Sequence, residues 1–306
     1  MFVYIIRRFL QTIPVLLGVI FVVFLIMKLV PGDPAVLIAG EGATEETIET
    51  IRNDLGLNDP LLVQYFSYLK DIVQGDFGES IRSNRPVFDE IMVRLPITME
   101  LALISILFSI VLGMIAGILS ATKPNSIADI TIMLLALIGV SFPSFWIGLM
   151  LIFYFSVQLQ IFPVAGWDSW MHIVLPSITL GAMGAAIIAR MTRSSMLDVI
   201  RQDYIRTARA KGLKNRVIIY KHGLKNAIIP VITVIGLQFG VLLGGAVITE
   251  TVFAINGLGR LIVDSIYARD LPMIQGTVLT ASVIFVIVNL IVDTLYRYFN
   301  KRIELD

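Results

Sequence analysis

Six long stretches without a charged residue constrain this chain more than any other feature. They cover residues 9–27, 101–122, 130–167, 169–189, 226–249 and 271–292. Each is close to the roughly 20 apolar residues that an α-helix needs to cross a bilayer. A soluble protein with six such helices would have almost no solvated helix face. The pattern therefore predicts an all-α membrane protein with six transmembrane helices.

The first stretch begins like a signal peptide. In "MFVYIIRRFLQTIPVLLGVIFVVFLIMKLV" a basic start precedes the apolar run, but no small-x-small cleavage site follows it. We therefore expect residues 1–30 to form an uncleaved signal anchor and the first span. The chain has no cysteine, so it offers no disulfide framework and no thiolate metal site.

Basic residues predict the orientation. Lys and Arg near span ends mark the cytoplasmic side of a membrane protein. With the N-terminus inside, sixteen of the 24 basic residues fall in inner segments and seven in outer loops, while Lys28 lies at the outer end of span one. Both termini are therefore expected in the cytoplasm.

The loop between spans one and two, residues 31–97, is long enough to fold into a small, mainly helical external subdomain. It carries twelve acidic and five basic residues. Thr44 is expected to cap one helix and Asp59 to cap another, with Pro60 at its first position. Two roles remain open for this subdomain: it could cover the outer ends of the spans, and it could receive a soluble partner. Residues 98–306 then form a five-span core, with a short helix expected from Leu258 to Ala268.

The loop between spans four and five is the most basic part of the chain. We call residues 194–229 the basic loop; ten basic residues lie between Arg190 and Lys225. Its apolar positions that recur every four residues are Met196, Ile200, Tyr204 and Ala208. This period predicts one helix, which Gly212 ends before a second helix begins near Asn215. Binding of anionic lipid would explain the charge but not this bent shape.

Polar groups inside the spans are few. A transporter with its own ion coupling usually buries ionisable residues at mid-membrane, and the six stretches contain no Asp, Glu, Lys or Arg and a single histidine, His172. Ser141 and Pro143 in "GVSFPSFW" predict a kinked, partly polar stretch of span three. The remaining pathway or helix-packing candidates are Gln238, Gly236, Gly240 and Gly244. The three glycines leave a face bare for close approach of another helix, in this chain or in a second subunit.

Catalytic motifs are missing from the sequence. It has two histidines and no HExxH, GxSxG or G-x-x-x-x-G-K-[ST] pattern. We therefore expect no enzyme, no metal site and no cofactor on this chain, and any ATP must be bound by another polypeptide.

The basic loop resembles the cytoplasmic "EAA" loop of binding-protein-dependent ABC importer permeases. The chain as a whole is similar to their peptide/nickel group, the B-type permeases of dipeptide, oligopeptide, glutathione and nickel importers. The resemblance rests on "RRFLQTIPVLLGV", "PGDPA", "LGLNDPLLVQY", "GVSFPSFW", "HIVLPSITLG", "DYIRTARAKGL", "KHGLKNAIIPV", "LLGGAVITE", "VFAINGLGRL" and "RDLPMIQ", in this order. Where the general pattern has Glu-Ala-Ala, this chain has Arg206, Thr207 and Ala208, whereas Gly212 matches.

The resemblance implies a type I ABC importer permease that forms half of a pore in a bacterial or archaeal cytoplasmic (inner) membrane. The implied partners are a second homologous permease, two cytoplasmic ABC ATPase subunits that bind ATP and Mg, an extracytoplasmic solute-binding protein and membrane lipid, without nucleic acid. The residues expected to contact the ATPase are Tyr204, Arg206, Thr207, Ala208, Lys211, Gly212, His222 and Leu224.

The substrate is less constrained than the class of transporter. Short peptides, including glutathione, are favoured over nickel or a metal chelate because they make up more of the family. A secondary transporter and a membrane scaffold are alternatives from other classes. The bent basic loop argues against the first, and the second predicts no ATP-dependent uptake.

Overall fold

The computed structural model describes residues 2–29, 33–40 and 42–299. Within these ranges the regular elements are helical. The α-helices are α1 Phe2–Leu29, α2 Pro34–Ala39, α3 Glu45–Asp54, α4 Leu61–Val73, α5 Val87–Thr122, α6 Ile127–Ser141, α7 Ser144–Leu151, α8 Trp170–Ile200, α9 Asp203–Ala210, α10 Asn215–Val217, α11 Leu224–Val252, α12 Leu258–Ala268 and α13 Leu271–Phe299. Two π-helical segments, π1 Ile152–Gln158 and π2 Ile218–Gly223, continue α7 and α10.

The expected six apolar spans are present. Five of the described helices are long and apolar enough to cross a membrane, and α6 with α7 and π1 forms a bent pair that passes the same test. The pair bends by 107° between Ser141 and Ser144. Pro143 lies in this break, so the kink expected from "GVSFPSFW" is confirmed, as is the all-α membrane fold.

The chain divides into two compact units. The first comprises Ile97–Gly259 together with the described residues from Ile287 onward, and the second comprises Phe2–Pro96 and Arg260–Val286.

Small residues let the helices of the first unit pack closely around α8, which contacts α6, α7 and α11. A Cβ atom added to Gly117 of α5 would lie 2.6 Å from the carbonyl oxygen of Ala189 in α8. The Ser109 hydroxyl donates a hydrogen bond of 2.7 Å to the Gly181 carbonyl. Close backbone approach and hydroxyl bonds of this kind are typical of membrane helix pairs. The core residues of this unit are Leu101, Ile106, Leu175, Leu180, Leu242, Ala246, Phe253 and Ile255.

Of the two helix caps predicted for α3 and α4 in the second unit, the first is confirmed and the second is wrong. The Thr44 hydroxyl accepts a hydrogen bond from the Thr47 amide, as an N-cap should. The expected Asp59 cap is wrong: Pro60 itself is the N-cap residue, and its extended backbone (ψ 142°) delays the helix to Leu61.

Aromatic side chains pack α4 on α1 within the second unit. Phe21 and Phe24 meet the ring of Tyr65 edge-on, with centroids 5.4 and 5.6 Å apart. The Tyr65 hydroxyl donates a hydrogen bond of 3.2 Å to the Leu17 carbonyl. Helix α12 begins at Leu258 and ends at Ala268, as predicted.

Candidate functional site: the basic loop and the polar groups of the core

The basic loop contains a helix break that the sequence pattern does not show. The predicted single helix is wrong, because α8 ends at Ile200 and Gln202 adopts an extended backbone (ψ 151°) before α9 begins. The break replaces Tyr204 by Ile205 on the buried face, while Ala208 stays buried as predicted. Ile205 is fully buried, whereas Tyr204, expected in the apolar stripe, is 42% exposed. The Tyr204 hydroxyl accepts a hydrogen bond of 2.8 Å from Nδ2 of Asn226.

Gly212 ends α9 in the expected way. Its φ of +74° lies in the left-handed region, where a side chain is strained. The Gly212 amide donates to the Arg209 carbonyl at 2.9 Å and the Leu213 amide to the Ala208 carbonyl at 3.3 Å. These two bonds form a Schellman motif, which satisfies the last carbonyls of a helix. A Cβ at Gly212 would meet no atom within 4 Å, so the backbone conformation alone requires glycine.

The segment after Gly212 returns to helix near Asn215, as predicted, but soon widens into π2. Its buried positions are Ile218, Gly223, Ala227 and Val231. They are separated by five, four and four residues, because a π-helical turn holds more residues than an α-helical one. The wide turn therefore keeps the same face of the helix buried on both of its sides.

The predicted ATPase contacts divide between the surface and the interior of the basic loop. Tyr204, Arg206, Thr207, Lys211 and Gly212 are exposed, His222 and Leu224 are half-buried, and Ala208 is buried. Arg206 lies 3.5 Å from Asp203, but both side chains are largely exposed, and such pairs contribute little to stability. The loop thus combines a packed apolar side with a solvated basic side.

An ion pair between a half-buried arginine and a buried carboxylate lies near the start of the basic loop. The Arg193 guanidinium of α8 donates from Nε and Nη2 to the two carboxylate oxygens of Asp129, both at 2.7 Å. Asp129 is only 2% exposed. Its carboxylate also accepts hydrogen bonds from the Ser120 hydroxyl and, at 2.8 Å, from the Asn125 amide. A bidentate, fully hydrogen-bonded pair is the arrangement that offsets the desolvation of two charges.

A second buried carboxylate, Glu250, lies near the other end of α11. It is 0% exposed and accepts a hydrogen bond of 2.5 Å from the Thr98 hydroxyl. That hydroxyl in turn accepts one of 2.8 Å from the Leu258 amide. An added Cβ at Gly257 would overlap the Glu250 carboxylate, and one at Gly259 would lie 3.0 Å from its Oε2. Glu250 therefore fixes the turn between α11 and α12 to α5.

The break in span three borders a cavity of about 290 Å³. Ser141 and Pro143, both predicted pathway residues, line it together with Thr179 and Met183 of α8. The Ser141 hydroxyl donates a hydrogen bond of 2.8 Å to the Leu137 carbonyl of its own helix. The structure thus brings these two predicted residues to one cavity.

The other pathway candidates lie on α11 and differ in environment. A Cβ at Gly236 would overlap Val292 of α13, whereas one at Gly244 would meet no atom within 4 Å. Gly240 is buried. The amide oxygen of Gln238 is close to Gly184 of α8, 3.8 Å from where a Cβ would stand. Among the residues that the structure describes, packing is therefore tight at Gly236 and open at Gly244.

Asp129 and Arg193 were missed as a functional pair by the sequence reasoning. Arg193 was counted only as one of the ten basic residues of the loop region. Ser126 is the N-cap of α6, and its hydroxyl accepts a hydrogen bond from the Asp129 amide. The spacing Ser-x-x-Asp could have placed Asp129 in a first helical turn, but not beside Arg193.

Known proteins resemble this chain over nearly its full length. Glutathione transport system permease protein GsiC of Escherichia coli (strain K12) is 49% identical over 301 residues, 98% of each chain. Dipeptide transport system permease protein DppB of Alkalihalophilus pseudofirmus is 46% identical over 332 residues, 99% of this chain and 100% of that one.

A solved structure shares the fold. Inward facing conformations of the MetNI methionine ABC transporter match with a TM-score of 0.58 and 22% sequence identity, over 69% of this chain and 96% of that chain. Family models match residues 1–102, as the N-terminal part of a binding-protein-dependent transport system membrane component, and residues 109–305. The chain belongs to the family of binding-protein-dependent transport system inner membrane components, the multi-pass permease subunits of ABC transporters.

Proposed function

We propose that this chain is the transmembrane subunit of an ATP-driven importer for short peptides, including glutathione. The substrate assignment rests on the similarity of nearly the whole chain to two permeases named for glutathione and dipeptide transport, at 49% and 46% identity. On this proposal the chain forms half of the pore and contributes no chemical step. Both termini lie in the cytoplasm, and residues 31–97 form an acidic external subdomain that receives the solute-binding protein.

The exposed side of the basic loop is the proposed contact with an ATPase subunit. Its tip is a Schellman turn at Gly212, and its interior is the buried cluster of Ile205, Ala208 and Ile218. A rigid, bent element with a solvated basic face suits a cleft on a partner that moves. Two ATPase subunits would bind ATP and Mg, and a second homologous permease would complete the pore. The open position at Gly244 supports a helix contact outside this chain.

Reconstitution in sealed vesicles tests the proposal. The chain is combined with its second permease and the ATPase subunits in liposomes. The solute-binding protein is added outside the vesicles, and ATP is enclosed inside them. Uptake of radiolabelled glutathione and of a labelled dipeptide is then measured. We expect uptake only with the complete assembly. Concentrative uptake by this chain alone would contradict an ATP-driven mechanism.

A variant pair at Gly212 tests the docking surface. In Gly212→Val a β-branched side chain occupies a left-handed backbone position, which distorts the turn. We expect normal membrane insertion and ATP hydrolysis without coupled uptake. Gly212→Asn is the matched control, because asparagine tolerates this conformation, and it should retain most uptake. Normal uptake by Gly212→Val would refute the bent-loop contact.

A further inference from the structure

Packed side chains and one turn of α8 lie between the basic loop and the Asp129–Arg193 pair. Met196 of α8 is fully buried against Ala121 of α5 and Ala227 of α11. Ile219 and Leu224 of the basic loop pack against this same cluster. Residues three apart on a helix share a face, so Arg193 lies one turn of α8 from Met196. The basic loop thus packs on α8 one turn away from the ion pair.

The other side of the pair is a short, rigid turn between α5 and α6. Asn125 has a φ of +61°, and its amide donates to the Asp129 carboxylate. Ser126 caps α6 by accepting from the Asp129 amide, and Ser120 donates its hydroxyl from the last turns of α5. The carboxylate is thus bonded to α5, to the turn and to α8 at once.

We propose that Asp129 and Arg193 are positioning residues that lock the α5–α6 turn to α8, so that motion of the basic loop carries α5, α6 and α8 as one body. This inference rests on the proposed function, in which the basic loop receives that motion. Apolar contacts between helices change gradually when the helices slide, since each is weak. A bidentate pair resists sliding more steeply, because a small shift weakens both hydrogen bonds together.

The first test separates locking from simple stability. Arg193→Gln leaves a buried carboxylate without its cation, whereas the double variant Asp129→Asn/Arg193→Gln removes both charges. In the reconstituted complex, the peptide imported per ATP hydrolysed is measured beside the thermal unfolding midpoint. We expect the double variant to regain most of the midpoint and to keep an import ratio at least about fivefold below that of the unmodified complex. Recovery of both values would overturn the proposal.

Arg190→Gln is the matched control. Arg190 lies on the same helix, three residues earlier, and is exposed, so its loss changes the charge of the region without touching the pair. Its import ratio should stay within twofold of that of the unmodified complex. An equal loss in Arg190→Gln and in the double variant would assign the effect to regional charge and overturn the proposal.

A covalent link supplies a rescue. The chain has no cysteine, and a Cβ at Gly139 of α6 would lie 3.5 Å from the Cβ of Ala186 in α8, within disulfide range. Gly139→Cys with Ala186→Cys is added to the double variant and oxidised with copper phenanthroline. We expect oxidation to raise the import ratio at least about threefold and dithiothreitol to reverse it. An unchanged ratio after complete cross-linking would overturn the locking role. Absence of uptake by the unmodified complex would instead contradict the proposed function.

Discussion

Asp129 and Glu250 are both buried carboxylates of the first unit, but their surroundings differ in kind. The Asp129 carboxylate accepts two hydrogen bonds from the Arg193 guanidinium. It accepts two more from the Ser120 hydroxyl and the Asn125 amide. Glu250 meets the Thr98 hydroxyl, and glycines enclose its carboxylate. The Arg193 cation therefore holds Asp129 in place, whereas the room for the Glu250 carboxylate requires glycine at neighbouring positions. We expect loss of the cation to be the most damaging change around Asp129 and added volume to be damaging around Glu250.

The largest effect is expected from removing the cation at Arg193. Arg193→Ala leaves Asp129 buried without its partner, a change that typically destabilises by about 3–5 kcal/mol. Glu250→Gln keeps the size of the side chain and a hydrogen-bonding group facing Thr98, so we expect about 1–3 kcal/mol. Thermal unfolding in detergent, followed by tryptophan fluorescence, ranks the two variants. A larger loss for Glu250→Gln would break the comparison.

A size variant near Glu250 should follow. The Cβ of Gly257→Ala would overlap the Glu250 carboxylate, and overpacking of this kind typically destabilises by about 1–3 kcal/mol. Gly18→Ala is the matched control, because a Cβ there meets no atom within 4 Å, and it should be neutral or slightly stabilising. The unfolding midpoints of the two variants are compared in one detergent. Equal midpoints would mean that the turn relaxes around an added methyl group.

The Thr98 hydroxyl sharpens the same comparison with a smaller change. Thr98→Val removes a donor to Glu250 and an acceptor for the Leu258 amide, and we expect a loss of about 1–2 kcal/mol. Thr98→Ser keeps the hydroxyl and should retain most of the stability. If both variants unfold at the same temperature, the hydroxyl of Thr98 contributes no more to stability than its methyl group does.

The smallest effect is expected at a half-buried pair of the second unit, Arg52 and Asp33. The Arg52 guanidinium hydrogen-bonds Asp33 and holds the pKa of that carboxyl below its usual value. The contribution of the pair is fully present above the unfolded pKa of aspartate, about 3.9, and is lost as pH falls through the lower folded value. Arg52→Gln should therefore lower the unfolding midpoint slightly at neutral pH, and the difference should vanish near pH 2. A difference that persists there would mean that Arg52 acts through packing.

Local rules predicted the features that depend on neighbouring residues. The helix stop at Gly212, the cap at Thr44, the break at Pro143 and the bounds of α12 each follow from one or two residue types at a helix end. The six spans follow from composition alone. None of these features requires knowledge of what packs against them.

The features that sequence reasoning missed depend on packing between distant segments. Asp129 and Arg193 are 64 residues apart, and no periodic pattern joins them. The break before α9 occurs at Arg201 and Gln202 without a glycine or proline to mark it. The stripe that runs through Tyr204 was a regular four-residue pattern, yet the break placed Ile205 in the interior instead. Tertiary contacts decided each of these outcomes.

The wide turn π2 has a consequence for how this region tolerates changes in length. A π-helical turn accommodates one residue more than the α-helix on either side of it. Deleting a single residue between Ile219 and His222 would convert the turn to regular α-helix and leave Ile218 and Ala227 on the same buried face. Deleting one within α11 would instead rotate every later position by about 100°. This stretch is thus the place where the loop can shorten without turning the span that follows it.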